Sequence, residues 1–256
     1  MKIASWNVNS LRVRMPQVLD WLKENNPDIL AMQETKMTDE VFPSEEFREA
    51  GYEIIYSGQK TYNGVAVISR QPGKDVRFDV PELDDPQRRI ICVTIADVRI
   101  LNLYVVNGSE VGSDKFDYKL NWLEKVENFI REDMQAYERY IILGDFNIAP
   151  EDQDVHDPAA WHEKILCSTP ERNALKRILE LGFKDSFRLF KQEKNIFSWW
   201  DYRAAGFRKN RGLRIDLILA SQFMAERCKG SWVDMEPRKL ERPSDHAPVV
   251  AEFRSS

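Results

Sequence analysis

The chain alternates short apolar runs with polar stretches, and several of the runs end in polar side chains. The clearest run is residues 140–143, which lead into a Gly-Asp-Phe-Asn sequence. Four or five apolar residues bounded by a glycine are typical of a buried strand. In extended backbone, residues two apart point to the same side, so Asp145 and Asn147 would leave the strand end together. Taken alone, the stretch fits a polar turn equally well.

The same pattern predicts eight further strands and three helices. The further strands are residues 2–8, 28–32, 53–56, 64–69, 89–95, 98–104, 214–219 and 247–253, and the helices are residues 10–25, 114–135 and 171–181. In the second helix, spacings of three and four put the apolar residues on one face. These residues are Phe116, Leu120, Leu123, Val126, Ile130 and Met134. Residues 151–170 are predicted to be irregular, and long ordered loops are often functional.

Length and composition favour one large α/β or β-rich domain that spans residues 1–256. The chain is 43% hydrophobic and 31% charged, which suits a sizeable core with a soluble surface. Its formal net charge is −5, so the overall charge does not indicate a nucleic-acid binder. A local basic patch or a bound metal would have to attract a polyanion.

The chain shows neither a secretory leader nor an apolar run of membrane-spanning length. Cys92, Cys167 and Cys228 are few, odd in number and widely spaced, so they predict neither a disulfide framework nor a zinc site. We therefore expect a reduced, cytoplasmic protein without a membrane partner.

Polar residues follow several strands that are far apart in sequence. They are Asn7, Glu34, Tyr104, Asp145, Asn147 and the Ser244-Asp245-His246 segment, and Asp216 lies within an otherwise apolar strand. If two sheets pack together, these strand ends share one rim. Oxygen ligands of this kind suit Mg²⁺ or Mn²⁺ better than zinc. A metal, a carboxylate that aligns water and an imidazole together favour attack on a phosphate.

Six motifs, in order along the whole chain, resemble the exonuclease III family of abasic-site endonucleases and 3′ exonucleases, within the endonuclease/exonuclease/phosphatase superfamily. The motifs are Trp6-Asn7-Val8-Asn9, Leu30-Ala31-Met32-Gln33-Glu34-Thr35-Lys36, Tyr104-Val105-Val106-Asn107-Gly108, Gly144-Asp145-Phe146-Asn147, Gly212-Leu213-Arg214-Ile215-Asp216 and Ser244-Asp245-His246-Ala247-Pro248. The resemblance implies a deoxyribonuclease I-like, four-layer α/β/β/α sandwich of two mostly antiparallel sheets flanked by helices. The site would lie where the strand ends of the two sheets meet.

The resemblance also implies a Mg²⁺ site, for which Mn²⁺ would be a substitute. Glu34 would be the principal ligand, and the assisting residues would be Asn7, Asp145, Asn147, Asp245 and His246. The family pattern leaves open whether one metal acts or two.

The catalytic roles implied by the resemblance fall on five residues. Asp145 would orient or deprotonate the attacking water, and Asn147 would hold that water and the pentacovalent state. His246, supported by Asp245, would bond the scissile phosphate or act as the general base. Tyr104 and Asn107 would contact the phosphate, and Tyr104 would be ionised near the metal. Asp216 would support the ligands or bind a second metal.

Residues 203–214 carry five basic side chains and no acid, and aromatic residues precede them. Basic side chains neutralise phosphates and aromatic ones pack against an extrahelical sugar. A solvated loop beside core aromatics is the alternative, which we favour for Trp200 and some of the charges. The resemblance implies that Trp199, Leu213 and Ile215 wall a pocket for an abasic sugar. The predicted DNA contacts are Asn107, Trp199, Arg203, Arg208, Lys209, Arg211, Leu213 and Ile215.

The predicted function is a Mg²⁺-dependent DNA repair phosphodiesterase, acting as a monomer on duplex DNA. It would incise 5′ to abasic sites, remove nucleotides and blocking groups from damaged 3′ ends, or do both. An alternative is a mainly 3′–5′ exonuclease with weak abasic-site incision, if a bulky Leu166 excludes the sugar. A different substrate, such as RNA or a phosphoester headgroup, and a non-enzymatic DNA-binding protein are further alternatives.

Overall fold

In the computed structural model, residues 1–254 are described, and they form two six-stranded sheets with helices on both outer faces. The strands are β1 (Lys2–Asn7), β2 (Ile29–Gln33), β3 (Glu53–Ser57), β4 (Val65–Ser69), β5 (Lys74–Arg77), β6 (Ile90–Ile95), β7 (Val98–Tyr104), β8 (Tyr140–Asp145), β9 (Phe183–Asp185), β10 (Trp199–Trp200), β11 (Gly212–Leu213), β12 (Asp216–Ser221), β13 (Cys228–Val233) and β14 (Val249–Phe253). The α-helices are α1 (Leu11–Asn25), α2 (Ser44–Glu49), α3 (Asp114–Asp133), α4 (Pro158–Trp161), α5 (Thr169–Glu180) and α6 (Gln222–Ala225). Short 3₁₀ turns occupy Asp39–Val41, Asp152–Asp154, Ser186–Leu189, Arg203–Ala205 and Glu236–Lys239.

The two sheets have the same pattern of strand directions. Their spatial orders are β13-β14-β1-β2-β4-β3 and β9-β12-β8-β7-β6-β5, and β10 pairs separately with β11. β1 is parallel to β2 and β7 is parallel to β8, whereas the other neighbours described in either sheet are antiparallel. Parallel strands need a crossover connection, and α1 and α3 provide it. The prediction of two mostly antiparallel sheets is confirmed.

Three apolar layers hold the four-layer sandwich together. The inner faces of the two sheets pack on each other, for example through Ile29 of β2 and Ile141 of β8. Trp122 of α3 belongs to the cluster that covers the outer face of the second sheet. Trp21 of α1 and Phe47 of α2 belong to the corresponding cluster on the first sheet. The predicted α/β/β/α arrangement is therefore confirmed.

All the predicted strands and helices are present, with ends shifted by a few residues. Helix α5 begins at Thr169 rather than at Glu171, because Ser168 and Glu171 form a reciprocal capping box around its first turn. The two-residue strands β10 and β11 were not predicted, and neither were β5, β9 and β13. All four residues of β5 are exposed, β9 has three residues and β13 contains Gly230, so none shows the apolar alternation of a core strand. The predicted irregular stretch 151–170 contains only short helical turns before α5.

The parallel pairs bring polar strand ends to one rim of the sandwich. Asn7 ends β1, Glu34 follows β2, Tyr104 ends β7 and Asp145 ends β8. Strand β12 runs antiparallel to β8, so its first residue, Asp216, lies opposite Asp145 in the register. Gly144 is needed beside this rim, since it has a φ of 142° and a Cβ there would lie 1.9 Å from the carbonyl oxygen of Leu103.

A buried polar network links the two sheets just below that rim. Asn102 of β7 donates from Nδ2 to the carbonyl oxygens of Met32 and Ala66, both at 3.1 Å, and these two residues face each other across β2 and β4. Its Oδ1 accepts from Nε2 of Gln33 at 2.8 Å, and the same nitrogen lies 3.0 Å from Oγ of Ser5. The side chains of one sheet therefore satisfy backbone groups of the other.

No helix within residues 1–254 combines the length and the apolar character that crossing a membrane requires.

We expect Asn102→Ala to lower the free energy of unfolding by about 2–4 kcal/mol, because it leaves a cavity and removes partners from buried polar groups. Urea unfolding of the metal-free protein would measure the change. Asn128→Ala, at an exposed position of α3, is the control and should stay within about 0.5 kcal/mol of the unchanged protein. Equal stability of the two variants would show that the network does not hold the sheets together.

Candidate active site

Asn7 joins the carboxylates that the two sheets bring to the rim. Its Nδ2 donates to Oε1 of Glu34 and to Oδ2 of Asp145, both at 2.9 Å. Asn7 and Asp145 are buried, so the amide of Asn7 supplies a hydrogen-bond donor that the buried carboxylate of Asp145 needs. The predicted convergence of Asn7, Glu34 and Asp145 is observed.

His246 lies between two buried carboxylates. Its Nδ1 is 2.8 Å from Oδ2 of Asp216, and its Nε2 is 3.8 Å from Oδ2 of Asp145. Burial by itself would lower the pKa of His246, but Asp216 and then Asp145 raise it by more, so the net pKa lies above the ordinary histidine value. In the metal-free protein the two carboxylates therefore favour the imidazolium form of the ring.

Asp145 is a fully enclosed acid of the site. Burial raises its pKa above the usual aspartate value, the His246 charge opposes that effect, and the negative charge of Asp216 adds to it. Its Oδ1 accepts the backbone N–H of Asn147 at 2.9 Å. An aspartate with a raised pKa binds a proton more readily than an exposed one, as a group that accepts a proton from water must.

Asn147 is held from several directions. Its backbone is in the left-handed region, with a φ of 49°. Its Nδ2 donates to the carbonyl oxygen of Val105 at 2.9 Å, and its Oδ1 accepts from Nδ2 of Asn107 at 3.3 Å. The two predicted amide side chains are therefore together, and Asn147 lies beside Asp145.

Glu34 and Tyr104 differ in the direction of their pKa shifts. Burial would raise the pKa of Glu34, but the Lys36 ammonium, 2.9 Å away, and the Asn7 hydrogen bond lower it below the usual value. Burial, Glu34 and Asp145 all raise the pKa of Tyr104, so its phenol is neutral in the metal-free protein. The prediction that Tyr104 is ionised near a bound metal stays a prediction.

The donor set fits a hard divalent cation. One ligand atom from each of Glu34, Asp145 and His246 lies within 4.8 Å of the other two. Asp216 adds a third carboxylate beside His246, and mutual repulsion among such groups is relieved by a cation. Carboxylate and amide oxygens predominate, which suits Mg²⁺ or Mn²⁺ rather than a thiolate-seeking metal.

The predicted support of His246 by Asp245 does not take the form of a hydrogen bond, although the charge of Asp245 adds to those of Asp216 and Asp145 in raising the pKa of the ring. Asp245 accepts from Nε1 of Trp199 at 3.0 Å and from Nδ2 of Asn9 at 2.8 Å, and no hydrogen bond joins it to His246 within the described chain. Asp216 takes that position instead. Asp245 and His246 therefore bind different partners although they are neighbours in sequence.

The five basic residues of the stretch 203–214 differ in their exposure and in their ion pairs. Arg208, Lys209 and Arg211 are exposed and form no ion pair within residues 1–254. Arg203 is also exposed, but its Nη2 lies 2.6 Å from Asp201, an acid just outside the stretch.

Arg214 is buried and has no access to DNA. Its Nε lies 2.6 Å from Asp154 and its Nη2 lies 2.7 Å from Asp185. Its charge therefore stabilises the fold from within, and this basic residue does not belong to a surface patch.

The predicted pocket walls are mostly buried. Leu213 and Ile215 have exposures of 0% and 1%, and they pack with Leu166 in a small apolar cluster, against which a half-buried Trp199 also packs. The prediction that Leu213 and Ile215 contact DNA stays a prediction, and both side chains are buried in this structure. The loop before α5 covers them, and periodicity alone does not reveal which loop covers a strand.

Two charged residues beneath the site, Lys119 and Glu171, were missed from the sequence. Lys119 was left out of the predicted apolar face of α3, yet it is fully buried, whereas Leu120 is only half-buried. It lies three residues after Phe116 and four before Leu123, so its spacing marks it as a core position. The Ser168-x-x-Glu171 capping signal could likewise have drawn attention to Glu171.

Comparisons with known proteins bear on the whole chain. The Endonuclease/Exonuclease/phosphatase family profile matches residues 4–246. The exodeoxyribonuclease III of Haemophilus influenzae is 37% identical over 267 aligned residues, covering 99% of this chain and 100% of that protein. The 3′ phosphatase NExo from Neisseria, solved with a product DNA hairpin, matches with a TM-score of 0.98 at 50% identity, covering 100% of both chains. An AP endonuclease from Archaeoglobus fulgidus matches with a TM-score of 0.95 at 41% identity, again covering 100% of both chains.

We expect Asp216→Asn to lower the pKa of His246 in the metal-free protein, because it removes the carboxylate that favours the imidazolium most. Nitrogen-15 NMR titration of the imidazole measures this pKa, and with 3 histidines in the chain the signal is assigned by His246→Gln. Asp245→Asn is the matched control and should lower the pKa less. A larger effect of Asp245→Asn would restore the sequence-based pairing.

Proposed function

Since this chain belongs to the endonuclease/exonuclease/phosphatase family, we propose that it is a Mg²⁺-dependent DNA repair nuclease that hydrolyses phosphodiester bonds. Its proposed substrates are duplex DNA with abasic sites, incised on the 5′ side, and damaged 3′ ends, from which it removes nucleotides and blocking groups. We also propose a monomeric, single-domain, cytoplasmic enzyme, in line with its few and scattered cysteines.

One observation carries the proposal: the ligand atoms of Glu34, Asp145 and His246 approach within 4.8 Å of one another at the rim shared by both sheets. The names of the relatives supply the substrate class, since one is an exodeoxyribonuclease, one a 3′ phosphatase bound to DNA and one an AP endonuclease. The mainly exonucleolytic alternative is not favoured, because relatives of both kinds match over nearly the entire chain.

In the proposed mechanism Glu34 would hold the metal with Asp145 beside it, while Nδ2 of Asn7 keeps the two carboxylates in place. When bound, Mg²⁺ polarises the phosphoryl oxygens and offsets the negative charge that develops on them. Asp145 accepts a proton from the attacking water, whose oxygen forms the new bond to phosphorus as the bond to the leaving 3′ oxygen breaks. The leaving oxygen takes up a proton in turn.

The remaining polar groups stabilise the charge that builds up on the phosphate. His246, kept protonated by Asp216, donates from Nε2 to a phosphate oxygen. Tyr104, as a neutral phenol, and the Asn107 amide donate to other phosphate oxygens. Asn147 holds the water against Asp145, to which its backbone N–H is already bonded. Positioning and preorganised donors of this kind supply most of the rate enhancement in phosphoryl transfer.

We expect Asp145→Asn and His246→Gln to lower kcat/KM on an abasic-site duplex by at least about a hundredfold, because each removes a group that acts in the transition state. Cleavage should stop in EDTA and return with Mg²⁺. Asp97→Asn, in the exposed hairpin at the far end of β7, is the matched control and should retain full activity. Turnover within a few-fold of the unchanged enzyme in Asp145→Asn would overturn the assignment of the water-activating residue.

The same assay separates the alternative functions. Parallel reactions contain an abasic duplex, a duplex with a 3′ phosphate, an intact duplex, an RNA duplex and a phosphoester headgroup. Preferred cleavage of the RNA or the headgroup would replace the proposed substrate class. DNA binding that is insensitive to EDTA, without any cleavage, would indicate a binding protein instead of an enzyme.

We expect Arg208→Ala/Lys209→Ala/Arg211→Ala to weaken DNA binding and to reduce the slope of log K against log salt by about one for each phosphate that is no longer neutralised. Fluorescence anisotropy at several salt concentrations measures both quantities, with EDTA present to prevent cleavage. Arg203→Ala is the control, because Asp201 already neutralises that charge. If Arg203→Ala reduced the slope by about one, as the loss of one phosphate contact would, the distinction between Arg203 and the three basic residues without an ion pair in the described chain would be wrong.

A further inference from the structure

A fully buried ion pair lies directly beneath the site and takes no part in the mechanism above. Lys119 of α3 and Glu171 of α5 are both 0% exposed, and Nζ of Lys119 donates to Oε1 of Glu171. Burying two charges is unfavourable, and an apolar pair of similar volume is often as stable. Stability alone therefore does not account for a lysine and a glutamate at these two positions.

The lysine end of the pair holds two residues of the site by their backbones. Nζ of Lys119 donates to the carbonyl oxygen of Asn147 at 2.7 Å and to that of Asn107 at 3.1 Å. The side-chain amides of Asn147 and Asn107 are the two that meet at 3.3 Å. One ammonium group thus fixes the relative position of the loops after β7 and β8. The backbone at Gly108 packs closely on the lysine side chain, since a Cβ there would lie 3.0 Å from Cδ of Lys119.

The backbone of Asn147 needs such support. Its φ of 49° is in the left-handed region, which L-residues adopt at an energetic cost. Its N–H is bonded to Asp145 and its carbonyl oxygen to Lys119, so side chains hold both of its polar backbone groups. Without the ammonium, that carbonyl oxygen would lose the buried donor that it has in this structure.

The glutamate end holds the loop that covers the apolar cluster. Glu171 accepts the backbone N–H of Leu166 at 3.0 Å and that of Ser168 at 3.1 Å. Leu166 also has a left-handed backbone, with a φ of 72°, and its carbonyl oxygen accepts the N–H of Ala149 at 2.8 Å. Since Ala149 lies two residues after Asn147, the glutamate supports the same loop from its other side.

We propose that Lys119 and Glu171 are positioning residues, which hold Asn147 and Asn107 in the geometry that hydrolysis requires. The proposal deepens the function proposed above and rests on it for its kinetic test. The pair acts through backbone hydrogen bonds and touches neither substrate nor metal. Its contribution is therefore to kcat more than to KM, because the affected groups act on the reacting phosphate.

The test replaces the whole pair, so that no lone charge is left in the interior. Lys119→Met/Glu171→Gln keeps the shapes and removes both charges and the three ammonium donors. We expect kcat on an abasic duplex in Mg²⁺ to fall about tenfold to a hundredfold, with KM changed by less than about threefold. Thermal unfolding of the same samples confirms that each variant is folded at the assay temperature.

Arg99→Met/Asp133→Asn is the matched control. Arg99 is 1% exposed and its Nε lies 2.9 Å from the partly buried Asp133, so the two form a largely buried ion pair away from the site. It lies at the start of β7, five residues before Tyr104, and five residues of strand span roughly 16 Å. We expect its kcat within about twofold of the unchanged enzyme. A kcat of Lys119→Met/Glu171→Gln within twofold, or equal losses in both pairs, would overturn the positioning role.

A second readout needs no substrate. Hydrogen exchange of the Asn147 backbone N–H, measured by NMR in the metal-free protein, should be at least about tenfold faster in Lys119→Met/Glu171→Gln than in the control pair. Unchanged exchange would overturn the proposal, and so would faster exchange with an unchanged kcat. If the unchanged protein cleaved none of the substrates, the proposed function would fail, whereas the exchange rate would still decide whether the ion pair holds Asn147.

Discussion

The rest of this structure depends on how it offsets the negative charges that it gathers in one cleft. Asp145 and Asp216 are buried and Glu34 lies beside them, and a buried carboxylate without partners is strongly unfavourable. Lys36 compensates Glu34, while the His246 ring lies against Asp216 and Asp145. Compensation is incomplete, since burial still raises the pKa of Asp145. That residual imbalance is what a divalent cation would relieve, so the affinity for metal and the basicity of Asp145 have one origin.

The sandwich creates the cleft through a gradient along its inner faces. On β8, Ile141 and Leu143 belong to the core between the sheets, and Asp145 continues the same face at the rim. On β7, Asn102 lies in the inter-sheet network and Tyr104 follows it at the rim. The apolar core thus passes through a hydrogen-bonded polar layer before it reaches the carboxylates. This layer separates the charged groups from the hydrophobic interior.

Local patterns predicted the strands and the residues that end them, because run length and alternation are properties of neighbouring residues. Partnerships across the fold were beyond their reach. His246 is bonded to Asp216, 30 residues away, and not to its neighbour Asp245. Arg214 has the sequence context of a surface patch, yet its partner Asp154 lies 60 residues away and draws it into the interior. A charged side chain that is buried needs a partner of opposite charge, and only the folded chain identifies that partner.

The position of Glu34 requires an unfavourable backbone conformation at the edge of the site. Gln33 faces inward, where it bonds Asn102, so strict alternation would turn Glu34 to the outer side of the sheet. Instead Glu34 adopts a φ of 53° and its carboxylate reaches Asn7 in the cleft. A glutamate in this conformation is unfavourable by roughly 1–2 kcal/mol, and the backbone hydrogen bond from Ser10 to its carbonyl oxygen, at 2.7 Å, helps to hold it there. Gln33 at the end of β2 bonds within the network between the sheets, whereas the next residue, Glu34, places its carboxylate in the cleft. The two side chains reach these different sites because the backbone changes direction at Glu34.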